Sequence, residues 1–136
     1  MPASPKSPTK RVAAPRAKRV VKAAAPPPKP FLRFYHSESL REKTLDVLDA
    51  LEEAQDSTRH RAALADVVVE LTRSGLDYYF LRPLKLAKVG FFVEQSANLG
   101  MAGATQVLGS VIRTVMSGMD NSQLRAVCNH IRQLMT

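Results

Sequence analysis

Leu40-Arg41-Glu42-Lys43-Thr44-Leu45-Asp46-Val47-Leu48-Asp49-Ala50-Leu51 is the stretch that decides the fold class. Leu40, Thr44, Val47, Leu48 and Leu51 recur at i, i+4, i+7, i+8 and i+11, which gathers them on one face of a helix. Ser39 stands three residues before Glu42, the spacing of a capping box, so this helix is predicted to begin at Ser39 and to end near Ala54. Downstream, Asp56, Ser57 and Thr58 offer N-caps for a second helix running to about Arg73. The apolar set of that helix (Leu64, Ala65, Val67, Val68, Val69, Leu71) is wide, which predicts burial of most of its circumference.

Two later stretches share one punctuation. Ser74-Gly75-Leu76-Asp77 and Ser117-Gly118-Met119-Asp120 both read as a helix end and then a helix start. Glycine suits the position after a last turn, the apolar residue folds back, and aspartate caps the next helix. Leu81-Arg82 and Leu124-Arg125 lie at matching distances beyond, compatible with a faint duplication or with two independent turns. Gln123 completes a capping box with Asp120, and a last helix is predicted over 121–134. Pro83 suits a first helical turn. An unbroken helix from Pro83 to Met116 would be about 50 Å long. It is therefore expected either to kink near Asn98 to Gly100 or to protrude and pair with another subunit.

These segments define an all-α fold, a small helical bundle of about four helices over residues 31–136, and no strand is convincing. The chain's 136 residues leave room for one such domain. Residues 1–30 are different in kind. They hold Lys6, Lys10, Arg11, Arg16, Lys18, Arg19, Lys22 and Lys29 and no acid, so the formal net charge of +8 resides there. The other 12 basic residues balance all 12 acids. Rich in Pro, Ala and Lys, this segment cannot bury enough apolar surface to offset ordering, and it is expected to be a disordered cationic arm. Its eight prolines oppose the amphipathic helix of a transit peptide. It lacks the apolar run of a signal peptide. The aromatics of Phe31 to Tyr35 are expected to dock on the domain edge.

The composition of residues 1–30 resembles the tails of linker histones and of histone-like bacterial proteins. The resemblance covers that segment alone and implies binding to nucleic-acid backbone, DNA foremost, without sequence preference. Charge leads to the same expectation: lysine and arginine neutralise phosphates and release condensed counterions. With no aromatic residue before Phe31, base stacking adds nothing. A cytoplasmic location, at the nucleoid in a bacterium, fits this reading and the single Cys128.

Other groupings are weighed against ordinary packing. Glu42, Asp46, Asp49 and Glu53 form an acidic stripe at i, i+4, i+7 and i+11, either a solvated face or a docking surface for basic groups such as the chain's own arm. Arg82, Lys85 and Lys88 interleave with aromatic and aliphatic residues, suiting an anionic surface if they are not simply snorkelling lysines. Ser96, Gly100, Gly103 and Ala104 make a small-residue face for a close helix crossing, in a homo-oligomer or within one subunit. A helix-turn-helix over 62–88 is opposed by Leu71, where a small residue is expected.

Chemistry finds little to stand on. His36, His60 and His130 are isolated, and Cys128 and His130 diverge on a helix. Asp66 and Glu70 are a common carboxylate pair. The expectation is a non-enzymatic protein with no cofactor, no metal and no small-molecule substrate. It is expected to be DNA-associated, with the arm gripping backbone while the domain oligomerises or holds a partner. The alternatives are a coating protein of a lipid or polymer granule, similar in plan to phasins, and a helical adaptor with a solubilising arm.

Overall fold

The computed structural model describes residues 27–135. The chain divides into two units, Met1–Leu32 and Arg33–Thr136. The expected disorder of the arm falls outside the described residues except for 27–30, which have no regular secondary structure. Of the eight arm cations only Lys29 is described, and it is exposed.

The second unit is all-α. Helices α1 (Glu38–Glu53), α2 (Arg61–Leu76), α4 (Phe91–Ser117) and α5 (Asn121–Leu134) are the long ones, and a short α3 (Arg82–Leu86) continues the path of α2. No strand occurs among the described residues. In α1, the predicted face is the buried one: Leu40, Thr44, Leu48 and Leu51 point inward. The cap differs from expectation. Ser37 rather than Ser39 is the N-cap, its Oγ accepting from the Leu40 amide at 3.1 Å. Two serines compete two residues apart, and the Ser37 carbonyl already takes the Arg41 amide. Ser39 therefore lies inside the first turn, and Glu42 has no capping box to close.

The core sits at one end. Leu48 and Leu51 from α1, Leu64 and Ala65 from α2, Met116 from the end of α4, and Leu124, Cys128 and Ile131 from α5 form one buried cluster. The turns there are tied together. Asp56 caps a 3-10 turn, Ser57–His60, that leads into α2. The Ser57 amide donates to Asn121 Oδ1 at 2.8 Å, and Arg61 donates twice to the Met119 carbonyl. Asp120 and Gln123 form the predicted capping box of α5. Across α1 and α5, Arg132 bridges Asp49 at 2.7 Å and Glu52 at 3.0 Å.

Three expectations fail in the middle of the chain. The helix does not stop at Gly75; α2 runs on through Leu76. Gly75 lies inside α2 beneath the Phe34 ring, and a Cβ on it would meet that ring at 3.6 Å, an ordinary contact, so nothing at this site requires a glycine. Of the aromatics expected to dock, Phe34 is half-buried against Tyr78 and Tyr79, whereas Tyr35 meets Tyr78 edge-on but stays exposed, as does Phe31. Since only Gly118 closes a helix, the two glycine turns are not structural equivalents. Nor is there a kink at Asn98 to Gly100. The break lies at Ala87–Gly90, where Lys88 (φ 53) and Gly90 (φ 101) take left-handed conformations. Finally, α2 is less enclosed than its apolar width implied, with Leu64, Ala65 and Val67 buried and Val68, Val69 and Leu71 half-buried.

Two substitutions should change stability in opposite directions. Leu48→Ala, which empties a fully buried site, should lower unfolding free energy by about 2–5 kcal/mol in urea titrations. Gly75→Ala should raise it by about 0.5–1 kcal/mol, because the new methyl meets Phe34 at ordinary contact distance and removes a helix-interior glycine.

Candidate functional site

From Val68 to Leu108 no residue is buried. This stretch is a helical hairpin: the second half of α2, a π turn at Asp77–Leu81, α3, the tip at Ala87–Gly90, and the first two thirds of α4. The π turn has a local cause. Pro83 has no amide to give the carbonyl four residues back, and its ring crowds that carbonyl. A wider turn, in which the Arg82 amide donates to the Asp77 carbonyl, accommodates it.

The tip collects the expected basic residues. Arg82, Lys85 and Lys88 are exposed and make no ion pair among the described residues. The Arg82 guanidinium lies over the Tyr78 ring, 5.2 Å from its centroid. Leu86, Phe91 and Phe92 stand exposed beside these cations. Within the interleaved segment Tyr79, Phe80 and Leu86 are exposed, whereas Tyr78, Leu81 and Leu84 are half-buried, so it is part packing edge and part open surface.

The small-residue face also points outward. Ser96, Gly100, Gly103 and Ala104 are all exposed. A Cβ on Gly100 or Gly103 would meet nothing within 4 Å, so no close crossing inside the subunit explains these glycines. Sequence reasoning missed how far the face extends. Val93, Ser96, Gly100, Ala104, Val107 and Val111 succeed one another at steps of three and four, and every one is exposed. The signal lies in that spacing and in the absence of charge between Glu94 and Arg113. Within α4 only Gly109 and Met116, on the opposite face, are buried.

The acidic stripe is partly engaged. Arg132 holds Asp49, whereas Glu42, Asp46 and Glu53 are exposed with no ion pair among the described residues. Asp66 and Glu70, considered as a carboxylate pair, are taken by Arg113 and Lys43 respectively. Among the described residues, one open cleft lies by Lys43, Glu70 and Asp77 and another between α2 and α4 by Leu81, Met101 and Gln106. Among the described residues no three His, Cys, Asp or Glu side chains cluster as metal ligands. No described helix is long and apolar enough to cross a membrane.

Cys128 lies apart from these surfaces, buried between α5 and α1. Burial pushes its thiol up to about 11, and the Glu52 carboxylate, whose Oε1 is 3.3 Å from Sγ, adds to the effect. The Arg132 guanidinium in turn holds the Glu52 carboxyl below its ordinary value. Such a thiol is a packing group rather than a nucleophile.

Comparison of the chain with protein-family models, curated proteins and solved structures finds no match.

The buried thiol sets a pH dependence. A group whose pKa is raised by folding contributes stability that is complete below its ordinary value and is lost as pH climbs through the folded one. Urea midpoints should therefore fall between about pH 9 and the folded value of about 11, and Cys128→Ala should flatten that part of the profile. In native buffer at pH 8, Cys128 should react with a thiol reagent far more slowly than in urea.

Proposed function

We propose that this chain is a non-enzymatic, DNA-associated protein. Its N-terminal segment, residues 1–30, binds phosphate backbone, and its helical domain joins it to a protein partner. One observation carries the reading: the segregation of charge. Eight basic residues and no acid fall in residues 1–30, and the rest of the chain is neutral. The domain moreover spends five of its basic–acidic contacts internally, from Arg41–Glu38 to Arg132–Glu52. Excess cation is available where the segment is, and phosphate backbone is the polyanion that such a segment neutralises without a fold of its own. Contacts of this kind go to phosphate rather than to base edges, so the expected binding is indifferent to sequence.

Loss of residues 1–30 should abolish duplex DNA binding and leave helicity by circular dichroism unchanged. In the full chain, if all eight cations engage, log K against log salt should fall with a slope of about −7. A slope near zero, or undiminished binding by residues 31–136, would contradict this reading.

A second reading is favoured by the tip. Arg82, Lys85 and Lys88 without acidic partners, beside exposed Leu86, Phe91 and Phe92, match what an anionic lipid or granule surface takes up, as for a coating protein. Under that reading, Lys85→Glu with Phe92→Ser should abolish co-sedimentation of residues 31–136 with phosphatidylglycerol vesicles. The eight N-terminal cations are left out because they would bind an anionic surface by themselves; the same substitutions are then placed in the full chain. DNA binding should be little changed, since the arm retains all its charge.

A further inference from the structure

We infer that the outer face of α4 pairs with the same face of a second copy of this chain, the two helices running antiparallel. This pairing is independent of what residues 1–30 bind. Its basis is the seam itself: Val93, Ser96, Gly100, Ala104, Val107 and Val111, exposed throughout and spaced by three and four residues. That is the spacing by which one helix presents a continuous strip to another. Phe92, Leu99 and Val115 flank the strip, at 84%, 74% and 56% exposure. Val93, Val107 and Val111 are themselves 51%, 65% and 53% exposed, so the strip and its flanks form one uncovered apolar surface of the kind that marks a protein interface.

The chemistry of the seam selects the occupant. Between Glu94 and Arg113 the helix has no charge, so nothing there would recognise a charged partner. A lipid surface is the other candidate for an apolar face, but the middle of the seam is Ser96, Gly100 and Ala104, which offer little apolar area to insert. Basic residues of the kind that flank membrane-lying helices are missing from its edges over 95–112. Open space at Gly100 and Gly103 serves a different purpose, the close approach of another helix backbone. The glycines are costly in a lone helix, at about 1 kcal/mol each, and a crossing at their level would offset that.

The order of residues selects the direction. About the level of Ala102 two pairs of seam residues are related by a two-fold, while Ser96 falls opposite Leu108 and Val107 opposite Ala97. An antiparallel partner sets Val93 against Val111 of the second copy and Gly100 against its Ala104. This is an isologous, two-fold contact that closes on itself. Antiparallel packing also opposes the two helix dipoles favourably. A parallel partner would instead bring two Arg82, Lys85 and Lys88 clusters side by side. In the antiparallel pair these clusters sit about 40 Å apart, several Debye lengths at physiological salt.

The test uses the full chain. Sedimentation equilibrium at 1–100 μM, as an experimental range, should show a dimer. Gly100→Leu and, separately, Val107→Glu should shift it to monomer by at least tenfold in dissociation constant. Circular dichroism should show that both variants keep the helices of the covered end. Orientation is read with a nitroxide on Ser117→Cys in a Cys128→Ala background. The antiparallel pair predicts a spin separation of about 45 Å, and a parallel pair under about 20 Å. A monomer for the unmodified chain at 100 μM overturns the inference, as does a dimer that survives both seam substitutions. A monomer that binds phosphatidylglycerol vesicles through Val107 and Val111 would overturn it in favour of lipid. A separation under 20 Å overturns the antiparallel arrangement. DNA titrations of the same variants separate this outcome from the charge reading, because residues 1–30 are untouched.

Discussion

Coverage is the constraint on which this structure depends. Two helices packed on each other bury one stripe each, and a third layer is needed to enclose what remains. Here α1 and α5 supply that layer over the first half of α2 and the last third of α4, and the buried cluster lies there. Beyond Val67 and before Gly109 no described helix supplies it. Ordering a residue costs on the order of 1–2 kcal/mol, and a stretch without a buried side chain has little to set against that. The hairpin is held instead by its α2–α4 contact, by Phe34 and Tyr35 laid on Tyr78 and Tyr79, and by i to i+4 bonding within its helices. On the inferred pairing, a second copy on the outer face of α4 would cover apolar surface that this end of the subunit leaves open.

Electrostatics divides the chain along the same line. At the covered end, charges are used to hold elements together: Arg132 clamps Asp49 and Glu52 across α1 and α5, and Arg61 and Arg125 donate to the carbonyls of Met119 and Ala54. At the hairpin tip the cations make no ion pair among the described residues, and over residues 95–112 there is no charge at all. Residues 1–30 are cationic throughout in sign. The chain thus has a region that folds, a region that offers apolar surface and a region that offers positive charge. Linking two cationic segments in one dimer would raise the effective concentration of each for a long polyanion without any new contact.

Much of the fold is legible in the sequence, for reasons that name their own limits. The buried face of α1, the capping box at Asp120 and Gln123, and the span of α5 can be read directly because each depends on residues within a turn or two. Spacing alone does not rank Ser39 against Ser37; the chain's approach through Phe34 and His36 does. Gly75 reads as a stop because glycine is the usual residue after a last turn, and nothing within a turn or two shows that the helix runs on beneath Phe34. Its neighbour, Phe34, is remote in sequence. The helix break at Ala87–Gly90, rather than at Asn98 to Gly100, is hidden for a related reason. Gly90 is preceded by an ordinary helical pattern, and the π turn forced by Pro83 has no signature in periodicity. The small-residue face is visible in sequence but its valine extensions are not, because exposure of a valine is invisible until the fold shows which face of α4 meets α2.

Hydrogen exchange across α4, measured as a function of protein concentration, tests the central claim most directly. The account predicts that amides from Leu99 to Leu108 exchange quickly in dilute solution and gain protection as concentration rises. Amides of α1 and α5 around Leu48 and Cys128 should stay equally protected throughout. Strong protection of Leu99 to Leu108 at every concentration would contradict it, since the hairpin would then be complete without a second copy.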